Sequence, residues 1–140
     1  MSLNTYLFFD GNCREAFEFY RSVFGGEFSA LQTFGDGPPD MNVPDAEKDR
    51  IMHICLPIGS GMLMGSDSTS VFGSHPVQGT NFSISVVGES REHCDGLFAG
   101  LSEGGTVKLP MAETFWGSYF GNLTDRFGIN WMINYELPRR

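Results

Sequence analysis

Two rhythms of apolar residues alternate along this chain. Thr5 to Asp10 (T-Y-L-F-F-D) is a short run of strand formers broken by Gly11-Asn12. Between Cys13 and Phe24 the rhythm becomes helical, because Ala16, Phe17, Tyr20, Val23 and Phe24 fall on one stripe. Asn12 is placed to cap this helix with Glu15 completing a capping box, and Gly25-Gly26 stops it. A second strand is expected over Glu27 to Phe34. The stretch Gly35 to Asp49 is too rich in Gly, Pro and Asp for regular structure and reads as a mobile loop or a functional flap. Arg50 to Ile58 and Met62 to Ser66 form the next two strands around Gly59-Ser60-Gly61.

From Asp67 to Gly79 the chain turns polar, which predicts a linker. The pattern then returns as strand Asn81 to Val87, helix Ser90 to Leu101, a Gly104-Gly105 stop, strand Thr106 to Met111 and a closing hairpin. This internal repeat predicts an α+β fold: a single domain over 1–140, built of one βαβββ module at 4–66, a linker at 67–79 and a second βαβββ module at 80–136. Each half-sheet would carry one helix on its outer face, leaving curved inner faces around a shared cavity.

The hairpin runs from Glu113 to Tyr135, and Asp125-Arg126-Phe127-Gly128 has the residues of a four-residue turn. If that turn pairs Thr124 with Ile129, then Trp116, Ser118, Phe120, Trp131 and Ile133 share a core-covering face. Phe115, Gly117, Tyr119, Gly121, Asn130, Met132 and Asn134 then share the other, whose glycines, amides and phenol suit the wall of a cavity.

The whole sequence of 140 residues is one domain's worth, enough to bury roughly two thirds of its unfolded surface. A hydrophobic fraction of 41% with 13 Phe fits a compact soluble fold. No apolar run approaches a membrane span and the first residues lack the order of a signal peptide, so the expected location is cytoplasmic. The net charge of −8, with only 9 scattered basic residues, makes nucleic acid or an anionic membrane a poor partner. Cys13, Cys55 and Cys94 are too far apart for a zinc ribbon and odd in number, which favours buried free thiols.

The opening F-D-G-N-C-R-E-A-F-E-F-Y-R-S-V-F-G-G-E-F resembles the first-module opening of the vicinal oxygen chelate superfamily, which includes the glyoxalase and bleomycin-resistance proteins. Taken with I-M-H-I-C-L-P-I and E-T-F-W-G-S-Y-F-G-N-L-T-D-R-F-G-I-N-W-M-I-N, it is similar to the PhnB-like branch, and the likeness spans Asn4 to Asn134. The resemblance implies paired βαβββ modules, a homodimer and a cavity within each curved sheet. It also implies a divalent metal held by His, Gln or Glu from the first and last strands of each module.

Those ligand positions fall at Thr5, at Met62 or Met64, at Asn81 and at Met132. Thioethers prefer soft metals and lone amides bind weakly, so neither that metal site nor any cofactor is expected. A divalent metal held elsewhere stays an open alternative. Candidates for acid–base chemistry are His53, which shares a strand face with Cys55, Glu113, whose burial beside aromatics would raise its pKa, and Asp67 at a strand end. Each has an ordinary reading as a core, surface or turn residue. Phe115, Trp116, Tyr119 and Trp131 could make an aromatic cage, with Asn130, Met132, Asn134, Thr5, Asn81 and Met64 as further lining; core packing is the alternative.

The run Gly59 to Gly65 misses the dinucleotide fingerprint and leads into a strand, so it offers no loop for a nucleotide or adenosylmethionine. The favoured expectation is a protein that encloses a small aromatic or hydrophobic molecule. A metal-displaced or acid–base enzyme of the same fold is the alternative, and action through a dimer surface is a third.

Overall fold

A computed structural model of the chain describes residues 1–72 and 75–138. It divides into two compact units, Met1–Val77 and Gln78–Arg140. The first unit contains β1 (Thr5–Phe9), α1 (Cys13–Phe24), β2 (Ala30–Thr33), β3 (Ile51–Ile58) and β4 (Gly61–Asp67). The second contains β5 (Ile84–Val87), α2 (Arg91–Ser102), β6 (Thr106–Glu113), β7 (Ser118–Thr124) and β8 (Asn130–Glu136). The sheet orders β1-β4-β3-β2 and β5-β8-β7-β6 are the same connectivity twice. In each unit the first and last strands pair in parallel and the rest antiparallel.

In the first unit the helix covers one face of the sheet. Leu7, Phe9, Ile54, Leu56 and Leu63 are buried there with Ala16, Phe17 and Tyr20 of α1. Phe17 meets Phe9 and Tyr20 edge-on, at ring separations of 6.2 and 5.6 Å. The approach needs a bare backbone at Gly65, where a Cβ would stand 2.6 Å from the Phe17 ring. The second unit repeats the device. A Cβ at Gly121 of β7 would meet Met111 at 2.8 Å and Phe98 of α2 at 2.9 Å, and Cys94, Leu97, Leu101, Leu123, Trp131 and Ile133 fill the core.

Several expected features differ in detail. Asn12 does not cap α1, since its side chain makes no capping hydrogen bond. Gly35 to Asp49 is a series of three 3₁₀ turns anchored by buried Phe34 and Val43, with Gly35 N–H donating to the Lys48 carbonyl. The expected linker begins as part of the first unit: Asp67 ends β4, and Thr69 Oγ1 accepts from the N–H groups of Val71 and Phe72. Its Gly73 and Ser74 lie outside the described residues. The fifth strand starts at Ile84, leaving Asn81 before it.

The closing hairpin pairs Thr124 with Asn130, so its loop is one residue longer than the turn residues predict. Asp125 is the cause. Its Oδ1 accepts from Phe127 N–H and Ile129 N–H at 2.8 and 3.1 Å, and its Oδ2 from the Trp131 indole at 2.8 Å. One residue of slip flips every side chain of β7 relative to β8. Trp131 and Ile133 stay in the core as expected, but their partners there are Tyr119, Gly121 and Leu123. Phe120 moves to the opposite side, opposite Asn134.

Candidate functional site

Alternation along each strand sorts the first sheet into a helix-covered face and a helix-free one. Register places Tyr6 beside Met64 and Phe8 beside Ser66, with Cys55 opposite Met64 and Gln32 opposite His53. These side chains share the helix-free face. Tyr6 and Phe8 stand 37% and 60% exposed, and Met62 at the end of the same row 47%. The Tyr6 phenol lies 3.1 Å from His53 Nδ1, their rings are stacked at 5.7 Å, and Phe8 tilts against Tyr6 at 5.2 Å. Sequence reasoning singled out His53 and missed Tyr6. The signal was present, because Leu7 and Phe9 as core residues oblige Tyr6 and Phe8 to face away from them.

The helix-free face of the second sheet carries Ser85, Phe120, Asn122, Thr124, Asn130, Met132 and Asn134. Asn130 is committed locally, donating to the carbonyls of Gly79 and Phe82 and accepting from Thr124 Oγ1. Asn122 Oδ1, beside Met132, is buried without a hydrogen-bond partner. It was not among the candidates, and the one-residue slip of the hairpin is the reason.

The other candidates are placed differently from expectation. Asp67 is buried on the helix side, where Oδ1 accepts from Gly11 N–H at 2.8 Å and Cys13 N–H at 3.0 Å and Oδ2 from Ile51 N–H at 2.8 Å. It caps α1 from the end of the strand next to β1 and is a structural anchor. Glu113 is exposed, paired with Arg91 at 2.6 Å instead of lying buried among aromatics. Arg91 in turn sits 4.3 Å above the Tyr119 ring, and the Tyr119 phenol donates to Asp95 at 2.6 Å. That acceptor and burial hold the phenol above its ordinary range.

The four-residue aromatic cage does not form. Tyr119 and Trp131 belong to the helix side of the sheet. Phe115, 97% exposed, and Trp116 lie in the turn between β6 and β7, edge-on to one another at 4.9 Å. Separately, Phe34, Met41, Val43 and the prolines 38, 39 and 44 line a pocket of about 520 Å³ within the 3₁₀ segment.

The donor set does not fit the superfamily's divalent metal. Thr5 shares its face with Leu7 and Phe9, opposite to Met64, and Asn81 is an exposed residue outside the strands. The helix-free face of the first sheet offers one imidazole and one amide, His53 and Gln32, beside a thiol, a hydroxyl and two thioethers, with no carboxylate among its paired strand residues, and that of the second offers amides, hydroxyls and a thioether. Among the described residues no group of three or more His, Cys, Asp or Glu is arranged to hold a metal ion. The buried carboxylates of Asp67 and Asp125 are taken up by backbone and indole N–H groups.

The glycine run 59–65 is the tight turn of the β3–β4 hairpin and the first part of β4, with no helix N-terminus after it. No helix among the described residues is long and apolar enough to cross a membrane.

Comparison with known proteins gives these features a family setting. The model of a family described as 3-demethylubiquinone-9 3-methyltransferase matches residues 1–134. Protein YjdN of Escherichia coli K12 is 30% identical, over 96% of this chain and 95% of its own. The crystal structure of protein PA1353 from Pseudomonas aeruginosa is 42% identical with a TM-score of 0.84, covering 99% of both chains. A glyoxalase/bleomycin resistance protein from Albidiferax ferrireducens shares the fold at 20% identity and a TM-score of 0.61, over 96% of this chain and 99% of its own.

Proposed function

The chain belongs to the 3-demethylubiquinone-9 3-methyltransferase family, the PhnB-like branch of the glyoxalase and bleomycin-resistance superfamily, and from that premise we propose that it binds a small aromatic or hydrophobic molecule without the superfamily's metal. The carrying observation is the group of large side chains, Tyr6, Phe8 and Met62, that stands exposed on the helix-free face of a sheet whose other face carries the core under α1. A surface of this kind on a soluble protein marks a place where something apolar binds. Hydroxyl, amide and imidazole groups among the aromatics supply the few polar contacts that orient a ligand in an otherwise apolar site. The chain acts as a homodimer in this reading.

A screen of aromatic compounds by thermal shift tests it. A ligand at 100 times its dissociation constant stabilises the protein by about 2.7 kcal/mol. A broad aromatic library that leaves the melting temperature unmoved sinks the reading.

The alternative is an enzyme of the same fold using acid–base residues or a displaced divalent metal, and His53 supports it as the one candidate that sits on a helix-free face. Metal analysis of purified protein separates the two. A stoichiometric divalent ion, lost together with a catalytic activity on chelation, would favour the enzyme.

A further inference from the structure

We propose that Tyr6 and His53 form the polar reading head of a site, on the helix-free face of the first sheet, for a planar aromatic molecule bearing a carboxylate or carbonyl oxygen. The inference rests on the small-molecule-binding reading and specifies its ligand. It starts from the hydrogen bond between the Tyr6 phenol and His53 Nδ1. A neutral imidazole has one N–H and one lone pair. When the phenol donates to Nδ1, the proton of the ring is on Nε2 and that N–H is left to donate outward. When the tautomer is reversed, Nδ1–H donates to the phenol oxygen and the phenol O–H becomes the outward donor. Either assignment gives the pair one free donor, held in place because each ring orients the other.

The surroundings select the rest of the ligand. Tyr6, Phe8 and His53 lie with ring centroids 5.2 and 5.7 Å apart, a nearly continuous aromatic surface on which a flat molecule can stack. Met62 and Met64 border it with polarisable thioethers. The remaining polar groups of the face, the Ser66 hydroxyl and the Gln32 amide, can also donate. None of the strand residues on this face, namely Tyr6, Phe8, Ala30, Gln32, His53, Cys55, Pro57, Met62, Met64 and Ser66, is a carboxylate. An ammonium ligand would therefore find no counter-charge, whereas an oxygen acceptor finds a preset donor. Desolvating that donor against a ligand lacking an acceptor is unfavourable, and this is the source of discrimination.

Cinnamate, cinnamylamine and β-methylstyrene share one planar skeleton and differ at its polar end, so their dissociation constants, measured by calorimetry on the full chain, test the proposal. Cinnamate is expected to bind at least tenfold more tightly than the other two. The double variant Tyr6→Phe/His53→Phe keeps both rings but removes both possible donors, and should erase this preference while holding β-methylstyrene within twofold of the parent. Tyr6→Phe, the milder change, should cut the preference three- to fivefold by releasing the imidazole tautomer. Circular dichroism and melting temperature confirm that both variants are folded.

Equal binding of the three compounds, or a preference that survives the double variant, overturns the inference and leaves the binding reading standing. Binding of none of them, together with a silent aromatic screen, overturns both. Self-association abolished by Tyr6→Ala, with no compound bound, assigns the face to a second copy of the chain and likewise overturns the proposal.

Discussion

Replacing Asp67 is the sharpest test of how the first unit is held together. Its two carboxylate oxygens accept three backbone N–H groups, at 2.8 Å from Gly11, 3.0 Å from Cys13 and 2.8 Å from Ile51, in a site only 4% exposed. A hydrogen bond to a charged acceptor contributes about 1.5–3 kcal/mol, and a buried donor stripped of its partner costs about 1–3 kcal/mol. These are two views of one loss and must not be summed. With some water entering at the part-exposed Gly11 end, Asp67→Ala is expected to destabilise by about 4 kcal/mol, a large share of the roughly 5–15 kcal/mol of a typical domain. Asp67→Asn can keep its carbonyl oxygen on Gly11 and Cys13 but turns an amide N–H₂ toward the Ile51 N–H, so about 2 kcal/mol is expected. Urea denaturation followed by circular dichroism measures both, and amide exchange at Gly11, Cys13 and Ile51 locates the loss. A cost below about 1 kcal/mol for the alanine, or an asparagine as damaging as the alanine, would refute the account of Asp67 as the remote cap of α1.

Other consequences can be measured on the same material. Asp125→Ala removes the acceptor of the Trp131 indole and of two loop N–H groups; about 3 kcal/mol of destabilisation and a red-shifted tryptophan emission are expected, and unchanged emission would count against it. Gly121→Ala drives a methyl into Met111, Phe98 and the Leu109 carbonyl, which should cost about 1–3 kcal/mol in urea melts. Burial, and then the charge of Asp67, push the Cys13 thiol well above its ordinary 9.0. The folded state then holds this proton where the unfolded state releases it, so stability is complete below pH 9 and falls as pH rises beyond it, by at most about 1.4 kcal/mol per pH unit. Cys13→Ala should flatten that slope in alkaline denaturation curves. In the native state Cys13 should also resist thiol reagents that label it once unfolded.

Local signals carried much of the fold. The apolar stripe from Ala16 to Phe24 and the Gly25-Gly26 stop gave α1 its observed bounds, Cys13–Phe24. Ser90 caps α2 as a serine in that position should, accepting from His93 N–H at 3.0 Å. What local rhythm could not carry was any choice settled by a distant side chain. Asn12 looked like a cap because it precedes the helix, yet Asp67, more than fifty residues on, satisfies the helix's first N–H, that of Cys13. The hairpin turn looked four residues long because Asp and Gly suit that turn, but Asp125 reaches forward to Trp131 and draws the loop one residue wider. That slip took Tyr119 out of the expected cavity wall and put Phe120 and Asn122 on the open face. His53 was legible as a site residue from chemistry alone. Tyr6 required following alternation through β1 with Leu7 and Phe9 fixed in the core.

The remote cap also bears on how the protein emerges from the ribosome. When Phe24 leaves the exit tunnel, α1 has all its own residues but neither its terminal anchor nor the strand that pairs with β1, since both arrive with β4. The second unit has the same delay, because β8 must appear before β5 gains its parallel neighbour. Such closure between distant residues is slow compared with helix formation. Each unit therefore stays an open nascent segment until its last strand is translated, and a stop codon placed before Gly61 would yield a fragment with an unanchored helix and no strand to join β1 to β3.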